Sequence, residues 1–147
     1  MQNWEKLTRQ ANQAYSNHAF LEAVDFHQQA LDQILKRFEE DFCLDPESVV
    51  AATAVSYLNI AESYTGLGNV MAANRQFEKA IDFLQAVIAR PDLALEQRDL
   101  IFQTMNHIRF EWELFTQSFG KERVVKHSAL LHPFPQLTPS TLTAAFH

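Results

Sequence analysis

The chain has 147 residues, of which 47% are apolar and 20% charged, and its formal net charge is −6. This length predicts one domain that buries enough surface to fold without a disulfide, and the single cysteine excludes an intramolecular one. The acidic balance argues against nucleic acid and anionic membranes as main partners. Only three glycines are present, so the composition favours helices over a sheet rich in turns.

Apolar residues recur at steps of three and four along the first half of the chain, which predicts amphipathic helices. The first helix spans residues 3–17. The second runs without interruption from Phe20 to Phe42 on a single apolar stripe. A third helix begins at Pro46, because Asp45 is a good N-cap and proline suits the first helical position.

Two glycines predict the end of the third helix, and two more helices follow. Gly68 suits the left-handed residue that closes a helix, and Asn69 suits the N-cap of the fourth helix. That helix stops at Arg90-Pro91, and a fifth starts near Asp92 and ends at Gly120. The pattern therefore predicts an all-α protein with about five long helices.

The C-terminal segment has a different character. Residues 1–126 are predicted to form the helical domain, and residues 127–147 a partly extended tail whose prolines exclude a continuous helix. The tail contains four large apolar residues, which are too many to leave in water as one patch. We expect it to pack on the domain or on a second copy of the chain. These residues are Leu130, Leu131, Phe134 and Leu137.

An internal repeat is the most informative feature of the sequence. Residues 14–32 align with residues 64–82 without a gap, at an offset of 50 residues. Small residues fall on small residues, and apolar residues fall on apolar residues. The matched pairs are Ala11 and Ala61, Ala23 and Ala73, Ala30 and Ala80, and Leu31 and Ile81.

The second copy resembles the tetratricopeptide repeat family, in which a turn glycine separates two helices with small and aromatic residues at set positions. The resemblance rests on Tyr57, Ile60, Ala61, Tyr64, Gly68, Ala73, Phe77 and Ala80. It implies a right-handed stack of antiparallel helix pairs. The family period is about 34 residues, so the extra residues around 43–46 predict that the second and third helices each gain about two turns.

The resemblance also implies a groove lined by the first helix of each pair, helix A, which binds a segment of a partner protein. The implied lining residues are Arg9, Asn12, Tyr15, Leu58, Asn59, Glu62 and, from the fifth helix, Arg109. Some family members bind a terminal carboxylate with two asparagines and several cations. Asn12 and Asn59 match the asparagine positions, whereas Thr8 stands where a lysine is usual.

The sequence contains no phosphate-binding loop and no nucleophile motif. His107 and Glu111 lie four residues apart and share a helix face, but two ligands are too few for a zinc site. We therefore predict no enzyme activity, no catalytic residue, no metal and no cofactor.

These features predict a non-enzymatic adaptor or scaffold that binds a protein or peptide segment in a helical groove. Two alternatives remain: a secretion- or assembly-type chaperone for an apolar segment, and a structural homo-oligomer whose groove is filled by its own tail. The start MQNWEKLTRQ lacks the pattern of a signal peptide, and no apolar run is long enough to span a membrane. We therefore expect a cytoplasmic protein with no nucleic-acid or membrane partner, and a homodimer if the tail docks in trans.

Overall fold

A computed structural model describes residues 2–119, which form six α-helices joined by short connections. The tail predicted for residues 127–147 lies outside the described residues. The helices are α1 (Gln2–Ser16), α2 (Phe20–Lys36), α3 (Phe38–Leu44), α4 (Pro46–Gly66), α5 (Val70–Ile88) and α6 (Leu95–Phe119).

Helices α4 and α5 begin at the predicted caps. The Asp45 carboxylate accepts a hydrogen bond from the Ser48 N–H at 3.3 Å, and the Asn69 amide oxygen accepts one from the Ala72 N–H at 3.1 Å. Pro46 occupies the start of α4, where it has no N–H to leave unsatisfied. Both helix starts are therefore determined by local sequence.

The second helix is not continuous, and the prediction of a single helix from residue 20 to residue 42 was wrong. Arg37 leaves helical geometry, with φ −110° and ψ 11°, and separates α2 from α3. Beyond the break, Phe38 stacks on Phe42 and meets the ring of Phe83 edge-on, at centroid distances of 5.2 and 4.9 Å. The extra residues therefore form the separate short helix α3 rather than two more turns of α2.

The helices pack in chain order as antiparallel neighbours. α1 contacts α2, α2 contacts α4, α4 contacts α5, and α5 contacts α6, while α4 also contacts α6. The predicted all-α stack of helix pairs is therefore confirmed, with six helices instead of five. α4 is the central helix, because every residue from 49 to 61 is buried, and a helix that is apolar all round belongs in a core.

The two halves of the repeat share the same turn. In the first, the N–H groups of Asn17, His18 and Ala19 donate to the carbonyls of residues 13, 15 and 14. In the second, residues 67, 68 and 69 donate to residues 63, 65 and 64, which is the same pattern fifty residues later. His18 and Gly68 both have positive φ, at 60° and 78°. The aligned segments are thus equivalent in structure as well as in sequence.

Small residues bring the paired helices together, as the alignment predicted. Ala11, Ala23, Ala30, Ala73 and Ala80 are all buried, so helix backbones approach closely at these points. His27, which stands where the second copy has Phe77, is also buried. Among residues 2–119, no helix combines the length and apolar character needed to cross a membrane.

Candidate functional site

Helices α1, α4 and α6 each present polar side chains on one face. Residues three, four or seven apart share a helix face, so each helix contributes a short stripe. Together we call these stripes the α1–α4–α6 face. Its members are Thr8 and Tyr15 from α1, Asn59 and Glu62 from α4, and His107 and Glu111 from α6.

A buried hydrogen bond holds α1 against α4 beside this face. The Trp4 indole N–H donates to the Ser56 hydroxyl at 2.7 Å, and both side chains are buried. Further along α1, the Tyr15 ring packs edge-on against Phe20 at a centroid distance of 5.0 Å. These contacts give Tyr15 a defined position above α4.

Tyr15 and Glu62 meet across the two helices, and the Tyr15 hydroxyl is hydrogen-bonded to the Glu62 carboxylate. Burial raises the pKa of Tyr15, and the neighbouring Glu62 charge and hydrogen bond raise it further. Burial also raises the pKa of Glu62, although the hydrogen bond from Tyr15 opposes this shift.

Glu111 brings a second half-buried carboxyl group to the same face. Burial, followed by the charge of Glu62, raises the pKa of Glu111 to about 7. Its Oε1 atom is buried and has no hydrogen-bond partner. One turn before it, burial lowers the pKa of His107. Within residues 2–119, no lysine or arginine forms an ion pair with Glu62 or Glu111.

The structure brings some of the sequence-predicted residues together and separates others. Tyr15 and Glu62 are in contact, as described above. Leu58 and Asn59 are only 7% and 5% exposed, so neither offers an open lining, although Asn59 lies on the same side of α4 as Glu62. Arg9 and Asn12 are exposed on α1.

Arg109 is exposed as well, but it does not share a face with Glu111. Two residues along a helix turn the side chain by about 200°, so Arg109 points away from the side that Glu111 occupies. The structure therefore places a carboxylate where the sequence reasoning expected a cation. The spacing of His107 and Glu111 indicates a shared helix face in the sequence, but it does not reveal that Glu62 of another helix lies beside Glu111.

Across residues 2–119, no group of three or more histidine, cysteine, aspartate or glutamate side chains is arranged to hold a metal ion. What the α1–α4–α6 face offers is two carboxyl groups and a phenol, which together accept hydrogen bonds from a positively charged donor.

Over residues 2–119, the fold is all-helical and contains a repeated helix pair. The α1–α4–α6 face forms an acidic, half-buried polar site across three of the helices. The chain belongs to the family described as "Protein of unknown function (DUF2753)", whose model matches residues 2–136. No curated protein and no solved structure matches the chain.

Proposed function

We propose that this protein is a non-enzymatic interaction module that binds a segment of a partner protein on the α1–α4–α6 face. The internal repeat supports this proposal, because stacked helix pairs that resemble tetratricopeptide repeats present their first helices as a binding surface. The two copies have the same turn geometry, which agrees with that resemblance. We expect the protein to act in the cytoplasm, with a protein or peptide as its partner.

The observation that carries the proposal is the pair of half-buried carboxyl groups, Glu62 and Glu111. Burial, followed by the charge of Glu62, raises the pKa of Glu111, so an ionised carboxylate at this position costs stability in the free protein. A lysine or arginine side chain from a partner would relieve that cost by pairing with both. The partner segment is therefore expected to carry a basic residue.

The same two carboxyl groups argue against binding of a partner's terminal carboxylate, the function that the family resemblance suggests through Asn12 and Asn59. A carboxylate placed beside Glu62 and Glu111 would bring further negative charge to a partly buried acidic site. Arg109 lies on the other side of α6 and is not placed to offset it. Charge thus favours a cationic segment over an anionic one.

The test uses the full chain as bait in extracts of its source cells, followed by binding measurements with the recovered partner. Glu62→Gln and Glu111→Gln each keep the side-chain size and remove the charge, and we expect each to weaken binding about tenfold, the loss of one charge-assisted hydrogen bond. Glu47→Gln, an exposed carboxylate in the first turn of α4, is the matched control and should bind like the wild type. Equal binding by all three variants would refute the proposal.

A further inference from the structure

The α1–α2 turn, the α4–α5 turn and the C-terminal end of α6 lie at one end of the stack, which we call the turn end. Phe20, at the start of α2, packs so closely on Gly66 at the end of α4 that a Cβ atom on the glycine would lie 2.6 Å from its ring. Val70 and Met71, at the start of α5, line a cavity together with Phe119, the last residue of α6. The turn end therefore joins parts of five helices.

Two cavities open at the turn end, and they occupy equivalent positions in the two repeats. The first has a volume of about 810 Å³ and lies between the start of α2 and the end of α4. The second has a volume of about 420 Å³ and lies between the start of α5 and the end of α6. Five of the six α2 residues that line the first cavity have a counterpart fifty residues later that lines the second: Phe20 and Val70, Leu21 and Met71, Val24 and Asn74, Asp25 and Arg75, and Gln28 and Glu78.

Each cavity carries a large apolar side chain that is mostly in water. Leu21 is 69% exposed and its equivalent Met71 is 73% exposed, while Leu67, at the edge of the first cavity, is 43% exposed. Three of the six exposed large apolar side chains among residues 2–119 thus lie at the turn end. A cluster of apolar surface beside two concavities is typical of a docking surface.

The two cavities differ in charge. Glu22 and Asp25 line the first cavity, and neither forms an ion pair within the described chain. In the second, Arg75 and Glu78 pair with each other at 3.4 Å and neutralise their charges. The first cavity is therefore acidic and the second is balanced.

We propose that the turn-end cavities bind one partner segment that places an apolar side chain in each, with a lysine or arginine beside the side chain that enters the first cavity. The repeat supplies two equivalent apolar contacts, and Glu22 and Asp25 supply the charge that selects a basic residue. The helical part of a second copy is a poor occupant, because residues 1–119 contain nine lysine and arginine residues against seventeen aspartate and glutamate residues and would bring further negative charge to this acidic rim.

The test uses the full chain and a fluorescent amphipathic peptide of leucine and lysine as the probe, with fluorescence anisotropy as the readout. We expect saturable binding that Leu21→Ser and Met71→Ser each weaken about tenfold, the loss expected when one buried apolar side chain becomes polar. Leu44→Ser is the matched control, since Leu44 is also highly exposed but lies outside both cavities. A peptide in which glutamate replaces lysine should bind at least about tenfold more weakly.

Backbone amide NMR shifts on titration with the same peptide locate the binding surface. The proposal predicts that the largest shifts occur around Leu21, Leu67 and Met71, and that they persist in Glu62→Gln. Shifts confined to the α1–α4–α6 face would overturn this inference while supporting the function proposed above. Self-association lost in Leu21→Ser, or shifts of residues 120–147 caused by Leu21→Ser in the free protein, would assign the cavities to a second copy or to the chain's own C-terminal segment and would also overturn it.

Discussion

His18 and Gly68, fifty residues apart, both take left-handed backbone geometry and close the first helix of their repeats with the same hydrogen bonds. Glycine adopts this conformation without steric cost, whereas a residue with a Cβ atom is strained by roughly 1–2 kcal/mol. A Cβ atom on Gly68 would meet no other atom within 4 Å, so backbone strain is the only cost of adding one.

The first prediction follows from this pair. Gly68→Ala should lower the free energy of unfolding by about 1 kcal/mol, measured by urea denaturation. His18→Gly is the reciprocal change and should leave stability unchanged or raise it by up to about 1 kcal/mol, because the strain at φ 60° is removed. A neutral Gly68→Ala would show that the second turn does not require a left-handed residue.

The second prediction concerns the close approach of Phe20 to Gly66. Gly66→Ala places a methyl group within 2.6 Å of the ring and should destabilise the protein by about 1–3 kcal/mol, as overpacking does. In a Phe20→Ala background the same substitution should cost much less, since the clash is gone. Equal costs of Gly66→Ala in the two backgrounds would contradict the contact.

The third prediction concerns the buried hydrogen bond from Trp4 to Ser56. Ser56→Ala leaves the indole N–H buried without an acceptor and should lower the free energy of unfolding by about 1–3 kcal/mol. The exposed Ser118→Ala serves as control and should not be destabilising. In a Trp4→Phe background the cost of Ser56→Ala should largely disappear, because no donor remains to be satisfied.

The fourth prediction concerns the pH dependence caused by His27. Burial lowers its pKa from 6.5 to about 4, so between these pH values the unfolded chain binds one more proton than the folded protein. The free energy of unfolding therefore falls by about 3 kcal/mol as the pH is lowered from 6.5 to about 4, and His27 causes no such loss above pH 6.5.

His27→Phe, which installs the residue found at the equivalent position 77, removes this titration. The stability advantage of the variant over the wild type should therefore grow steadily as the pH is lowered from about 7 to about 4. The buried Nδ1 atom of His27 has no hydrogen-bond partner, which gives Phe an additional advantage at neutral pH. A difference that does not change with pH would show that His27 is protonated equally in both states.

The fifth prediction concerns Glu111, whose titration changes the stability of the fold with pH in the direction opposite to that of His27. The folded protein holds a proton on Glu111 more tightly than the unfolded chain does, so this group destabilises the fold as the pH rises from 4.5 to about 7. Glu111→Gln should therefore be more stable than the wild type at about pH 8, by about 1 kcal/mol after allowance for its partial exposure to solvent. The two proteins should differ little near pH 4, and urea denaturation at the two pH values checks both results.

Much of the fold follows from local sequence, because the periodicity and the caps act locally. Asp45, Pro46, Gly68 and Asn69 mark helix ends through their own backbone preferences. The break at Arg37 has no such signal, since neither proline nor glycine is nearby and the apolar stripe continues through Phe38 and Phe42. It accompanies the packing of these two rings with Phe83, a contact that only the folded chain reveals.

The candidate site was less predictable than the fold. Tyr15 and Glu62 are both among the lining residues that the family resemblance implies, and the structure brings them together. Arg109 is among the predicted lining residues because the family resemblance implies a cation from the fifth helix. No third copy of the repeat aligns with this helix, so the sequence does not show on which side of it Arg109 lies. The neighbouring Glu111 was visible as part of a helix stripe with His107, but its partner Glu62 lies on another helix and is found only by folding.

Photo-crosslinking at Asn12 tests the proposed partner-binding function most directly. Asn12 is exposed on α1 and lies within one turn of both Thr8 and Tyr15. With p-benzoylphenylalanine at this position in living cells, we predict a discrete adduct that weakens when Glu62→Gln and Glu111→Gln are combined. The same probe at Asp82, exposed on α5, should yield little of this adduct. An adduct that is equally strong at Asp82, or that does not respond to the loss of both carboxylates, would contradict binding on the α1–α4–α6 face.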